Sequence, residues 1–466
     1  MVNTELILNN SIAVLPFADY SPGKDQAWFT DGMTDALITE LSKISSLNVR
    51  SRTSVMQYKG TNKTISEIAK ELNVGTIIEG SAVKVNDSVR ITAQLINAQD
   101  KHLWANNYDA GMKDVLRLHH DIAKAITKEI NVVLTPADSS RFTVPSSVNP
   151  AALETYLKGN KILYESYTLE QYKGGVEYLK QAIELDSTYA DAYAYLGLAY
   201  LNYFIYGEIT PLESYWLSEA PTNTALRLDP QSIIAYRNQF YFLYNIKWDW
   251  EEALSIITKL QSLTPNDPDV MDMSWSYYFH IGKFDKALEI NEKITPISPT
   301  RAYYWVGETY TQLLTRDYEG VIRSAEEGLK LFPNNNFILE YQMMSFSLLG
   351  RHEEAVQIAR KLMIDQDSRP SLIGTIGYIY ARAGLKDKAI KQIEIVQGLK
   401  LNYIDPIYSG IIYIGLGDND QAMDYIEKGY ELHTPEMVFL KIAPYFDPLR
   451  GDPRFEKLIK DMKFPN

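Results

Sequence analysis

The run Phe346-Ser347-Leu348-Leu349-Gly350-Arg351-His352-Glu353-Glu354-Ala355 decides the fold. An aromatic-bearing apolar stretch stops at a glycine, two carboxylates follow, and a small residue opens the next apolar stretch. A glycine there can take the left-handed conformation that ends one helix. Carboxylates at the next helix start complement its dipole. The pattern recurs: Ala253, Ala287, Val321, Ala355 and Ala389 stand 34 residues apart, and Ala422 follows after 33. Five residues before the small residue come Gly282, Gly350, Gly384 and Gly417. Nine before it come Tyr244, Tyr278, Phe346, Tyr380 and Tyr413, and twelve after it Pro265, Pro299 and Pro333. The small residue lets two helices approach, the aromatic fills the gap beside it, and the proline closes the second helix.

Looser copies precede these, marked by Ala182 with Leu185-Asp186, then Gly197, Tyr200, Ala225 and Pro230; residues 201–211 lengthen a connection. The 34-residue period is that of tetratricopeptide repeats, so residues 151–445 are expected to form an α-helical solenoid of about eight repeats. Residues 136–150, with three prolines and four serines, read as a linker. Residues 446–466 read as a capping helix over the solenoid's end, with Asp452 as N-cap and Pro453 at the first helical position.

The first part is built differently. After an extension over residues 1–10, residues 12–17 read as a buried strand. Residues 28–44 have helical spacing, with Met33, Leu37, Ile38 and Leu41 on one side. A short strand is expected at 48–50, and Thr64 with Glu67 is a capping-box signature. Residues 75–85 and 88–97 read as a hairpin turning at Asn86-Asp87. A strand at 102–108 and a helix at 114–134 complete an N-terminal α/β domain, a mixed sheet with helices.

In this part Ile12-Ala13-Val14-Leu15-Pro16-Phe17, Phe29-Thr30-Asp31-Gly32-Met33-Thr34, Arg52-Thr53-Ser54, Tyr58-Lys59-Gly60, Glu79-Gly80-Ser81, Arg90-Ile91-Thr92-Ala93-Gln94-Leu95 and Leu103-Trp104 follow one another in order. Together they resemble the TolB amino-terminal-like domain that bacteria couple to tetratricopeptide repeats, over residues 11–135. The resemblance implies a signalling context, in which such a module follows a nucleotide cyclase, a winged-helix domain or a protein kinase, often across a membrane helix.

Charge and composition narrow the chemistry. The net charge is −13, and residues 1–140 carry little of it, with 14 Lys and Arg against 16 Asp and Glu. An acidic solenoid repels phosphates, so nucleic acid is not an expected partner. With no cysteine, disulfides and thiolate sites are excluded. No apolar run approaches the ~20 residues that span a bilayer, so this chain is not expected to insert in a membrane. Its start lacks a signal-peptide pattern. It is expected to be soluble, in the cytoplasm or as the extracytoplasmic portion of an anchored parent, and homo-oligomers remain open.

No catalytic, cofactor or metal constellation stands up. Gly23-Lys24 lacks the other residues of a phosphate loop. His119 and His120 point about 100° apart on a helix, so they read as surface or half-buried residues and not as a chelate. Glu251-Glu252, Glu326-Glu327 and Glu353-Glu354 read as the starts of second helices. The chain is therefore expected to be no enzyme, and to bind no cofactor.

A partner-binding groove is the expected site. Asn238, Phe242, Asn245, Asp272, Tyr310, Glu340, Met344 and Tyr378 fall on first-helix positions that face the inner side of such a solenoid, as does Tyr303. Exposed aromatics with acids and amides suit an extended apolar-aromatic, weakly basic protein or peptide partner. The lysines that grip a C-terminal carboxylate are missing, since Asn238, Asp272, Val306, Glu340 and Gly374 stand at those positions. A lesser candidate is the loop at residues 18–25, where free amides at a helix start could meet an anion. The favoured reading is a sensory-regulatory interaction module of a bacterial signalling or transcription-regulatory system. The alternatives are the regulatory fragment of a cyclase or kinase, and an envelope assembly scaffold.

Overall fold

The computed structural model describes residues 10–141, 147–166, 168–294, 302–364 and 369–465. Strands β1 (Ser11–Val14), β2 (Ala18–Asp19), β3 (Asn48–Val49), β4 (Thr76–Val85), β5 (Ser88–Asn97) and β6 (His102–Gly111) form one mixed sheet. Its order is β3-β1-β4-β5-β6, with β2 added on β4. β3, β1 and β4 run parallel, while β4, β5 and β6 form antiparallel hairpins. The first hairpin turns at Asn86, whose φ of 53° suits a residue tolerant of the left-handed region. Helices α1 (Ala27–Ser42), α2 (Arg52–Met56), α3 (Ile65–Leu72) and α4 (Val115–Glu129) complete this domain. Thr64 and Glu67 make the reciprocal capping box that starts α3. α1 and α4 pack on each other and on the sheet.

In the stretch expected as a linker, α5 (Pro136–Arg141) is held to the α/β domain, because buried Asp138 accepts from Ser45 N at 2.9 Å. Helix pairs follow: α6 (Pro150–Glu165) with α7 (Leu169–Leu185), α8 (Ala190–Leu201) with α9 (Pro211–Leu228), and α10 (Ile233–Phe242) with α11 (Trp250–Leu263). Next come α12 (Pro268–His280) with α13 (Phe284–Ile294), α14 (Tyr303–Leu314) with α15 (Tyr318–Leu331), and α16 (Asn336–Leu348) with α17 (His352–Ile364). α18 (Pro370–Arg382) pairs with α19 (Lys386–Gly398), and α20 (Ile407–Leu416) with α21 (Asn419–Glu431), before the terminal α22 (Pro453–Asp461). The chain is thus an α/β domain followed by a tetratricopeptide-type solenoid.

The repeat register holds. Ala253, Ala287, Val321, Ala355, Ala389 and Ala422 are all 0% exposed. Gly282, Gly350, Gly384 and Gly417 have φ between 74° and 82°, where a Cβ would be strained. Pro299 lies outside the described residues. One placement differs: Glu326 and Glu327 sit in the second half of α15, and Glu327 pairs with Lys330 instead of complementing a helix start.

The end of the chain differs more. Asp452 caps α22 and Pro453 opens it, and α22 meets α21. Yet residues 433–464 do more than cover an open end. Trp250 Nε1 donates to Met462 O at 2.8 Å, and the His433 ring lies 2.7 Å from Ile246 O. Arg316 pairs with Asp447 at 2.8 Å. The solenoid curls round so that its end fills the face formed by its own first helices. Two further contacts tighten the curl: Tyr403 N donates to Gly207 O at 2.9 Å in the lengthened connection, and Asn266 donates to Leu47 O of the α/β domain at 3.1 Å.

Candidate functional site

The closure decides where each expected groove residue stands. Tyr378 is 1% exposed, its ring 6.4 Å edge-on from Tyr445. Tyr310 stacks on Tyr341 at 4.6 Å and meets Phe439 at 6.0 Å. Met344 is buried in the same core. Glu340 accepts from Thr375 Oγ1 at 2.8 Å and faces Arg369 at 3.8 Å. Asp272 is half-buried and its charge reaches Tyr244. The expectation of exposed groove aromatics therefore fails at Tyr378, Tyr310 and Phe242. Met437, Leu440, Phe446 and Leu449 enter the same core. The Tyr303 side chain lies outside the described residues.

The closing segment brings a third carboxyl to the acids on this face. Tyr408 donates to Glu436 Oε1 at 3.3 Å. Burial first, then the Glu340 carboxylate, pushes Glu436 up to about 7. Asp405, which accepts from Ile407 N at 2.9 Å, is pushed up by burial and by Glu436.

Asn238 and Phe242 line an open cleft of about 180 Å³ between α9 and α10. Tyr215, Glu219, Asn223, Lys247 and Glu252 also line it. The Phe242 ring lies parallel to Tyr215, 4° apart, and the Lys247 ammonium sits 4.7 Å from its centroid. Tyr215 donates to Glu219 Oε1 at 2.8 Å. Asn238, 1% exposed, donates to Ala194 O at 2.8 Å, and its Oδ1 meets no donor. Both neighbouring helices are irregular here. Pro221 interrupts α9, which removes one helical hydrogen bond. α10 ends in a π turn, Leu243–Lys247, that holds half-buried Asn245 and leads to Trp248 at φ 53°. Such turns cluster at functional sites. The π turn leaves no periodic mark in the sequence.

The α/β domain offers less. Asp19 accepts from Ser21 N at 2.9 Å and Gln26 N at 2.8 Å, so its carboxylate takes the amides an anion would need. His119 and His120 are both buried, where a surface or half-buried position was expected, and burial lowers His119 to about 4. Among the described residues no cluster of His, Cys, Asp or Glu could hold a metal, and no helix is long and apolar enough to cross a membrane.

Comparison with known proteins finds matches in two separate parts of the chain. Residues 409–432, spanning α20 and α21, match the tetratricopeptide repeat. Residues 8–127 match the family described as HilA/YgeH-like transcriptional regulator, second domain, over the segment where a TolB amino-terminal-like domain was expected. The chain is 33% identical over 196 residues to a putative adenylate cyclase 3 of Rhizobium meliloti, covering 42% of this chain and 33% of that protein. It thus spans a third of that relative's length. Among solved structures, the human IFIT1 dimer with m7Gppp-AAAA gives a TM-score of 0.46 at 14% identity, over 68% of this chain and 78% of that one. A tetratricopeptide repeat protein from Parabacteroides merdae gives 0.44 at 13%, over 59% and 100%.

Proposed function

We propose that the chain is a non-enzymatic, sensory-regulatory protein-interaction module of a bacterial signalling or transcription-regulatory system. The observation that carries this reading is the solenoid of helix pairs, whose repeat match supports a protein-interaction role. The α/β domain supports the regulatory half through its likeness to the second domain of a transcriptional regulator, and its resemblance to TolB amino-terminal-like domains belongs to the same reading. The partner site is the cleft with Asn238, Phe242 and, on the adjoining turn, Asn245. Asp272, Tyr310, Glu340, Met344 and Tyr378 act instead as the seat of the closing segment. The chain's boundaries as a module are residues 11–135 and 151–445, with the stretch from 433 continuing through 464 to close the solenoid.

A second reading has one observation in its favour. The 196-residue likeness to a putative adenylate cyclase supports a regulatory part of a nucleotide cyclase. The two are separated by offering the purified chain a separately expressed cyclase domain of that relative and measuring cyclic nucleotide output. A change in output favours the second reading. For the first, the chain alone is expected to turn over neither ATP nor GTP. Turnover abolished by a point mutation in this chain would overturn the non-enzymatic assignment.

A further inference from the structure

The cleft between α9 and α10 already holds a cation supplied by the chain itself. The Lys247 ammonium sits over the Phe242 ring, 4.7 Å from its centroid, and Tyr215 stacks parallel to the same ring, which the two leave 8% exposed. Two carboxylates, Glu219 and Glu252, line the same cleft against that single ammonium. The Tyr215 hydroxyl fixes Glu219 through one oxygen and leaves the other able to accept. Asn238 adds an acceptor without a donor. A lysine on a flexible stem is the weaker occupant of such a place. A guanidinium is planar, stacks on an aromatic face and presents several donors in a fixed fork that matches carboxylates.

We propose that this cleft takes an arginine side chain of a partner polypeptide. The guanidinium stacks on Phe242 in the place now held by Lys247 and donates to Glu219 and Glu252. The inference rests on the interaction-module reading and names the chemistry its partner presents. Lys247 is then a resident stand-in that a bound arginine displaces, so the site discriminates against partners that cannot outcompete a primary amine. Pro221 in α9 and the π turn after α10 hold the two helices in the irregular geometry that leaves room for it.

The test uses the full chain with fluorotryptophan label. Trp216 is exposed, its ring 5.2 Å from Tyr215, and its signal is assigned through Trp216→Phe. The probes are acetyl-Gly-Arg-Gly-amide and its citrulline and lysine counterparts. The arginine peptide is expected to shift the Trp216 signal saturably, with Kd on the order of 1–10 mM for a single side chain, and the citrulline peptide is not. Lys247→Met is expected to tighten arginine binding about threefold or more, because it removes the competitor. Glu219→Gln is expected to weaken it about fivefold or more. Equal binding of arginine and citrulline, looser binding in Lys247→Met, or no shift up to about 50 mM would each overturn the proposal. Should Glu219→Gln not fold, exposed Lys247 still decides the matter. A captured partner whose affinity ignores both substitutions sinks the cleft and spares the module reading. Arginine binding without any polypeptide partner does the reverse.

Discussion

Glu436 offers the sharpest perturbation. It lies in the three-ten turn Pro435–Phe439 that the closing segment lays against α16 and α20. Burial first, then Glu340, raises its carboxyl from 4.5 to about 7, against the opposing hydrogen bond from Tyr408. In the unfolded chain the group ionises near its ordinary value, so above that pH the folded state holds the extra proton. Stability contributed here is therefore present at low pH, falls as pH climbs from about 4.5 to about 7, and is flat beyond. A gap of about 2.5 units sets a ceiling near 3 kcal/mol. Glu436 keeps partial contact with water and shares its surroundings with Asp405, which brings the expectation to about 1–2 kcal/mol. Glu436→Gln keeps the hydrogen-bonding shape and removes the ionisation. Urea unfolding should show little difference from the native chain at pH 5 and a gain of that size at pH 8. A variant equally stabilised at both values, or destabilised at pH 8, would refute the electrostatic argument.

Other perturbations follow from the same packing. Ala287→Arg would bury an unpaired charge where exposure is 0% and should cost about 3–5 kcal/mol by urea titration. Phe446→Ala, in the closing segment and fully buried, should cost about 3–5 kcal/mol, whereas a dispensable tail would lose almost nothing. Burial lowers His119 to about 4, so stability should rise with pH between about 4 and 6.5, the unfolded chain binding the extra proton there. His119→Leu should flatten that rise by one proton, which potentiometric or denaturant data across the range can check. Asp452→Ala removes the side-chain acceptor for Arg454 N and should cost about 1 kcal/mol.

The repeat register was legible because its demands are local. A residue at the closest approach of two helices must be small, as Ala287 and Ala355 are. A left-handed helix end selects glycine, as at Gly350 and Gly384. The Thr64–Glu67 capping box and the Asn86 turn were readable for the same reason. The inner face was not, because its closure depends on pairs such as Trp250 with Met462 and Ile246 with His433, 212 and 187 residues apart. A first-helix aromatic has the same spacing whether a ligand or the chain's own Phe439 covers it. The cleft was half visible: Asn238 and Phe242 were singled out by position, while Lys247, Glu219 and the π turn carried no periodic signal. The loop at residues 18–25 was legible only in part, because nothing in its sequence shows that the Asp19 carboxylate already occupies the amides of Ser21 and Gln26.

The central claim is that the end of the chain closes over the first-helix face. With no native cysteine, paired cysteines can test it without background. Arg316 and Asp447, whose side chains meet at 2.8 Å across 131 residues and stay partly exposed, can both be changed to cysteine and offered a short bismaleimide. The account predicts fast intramolecular cross-linking of a monomer whose circular dichroism matches the native chain. A natively folded double variant that reacts at each cysteine but never bridges them would contradict it.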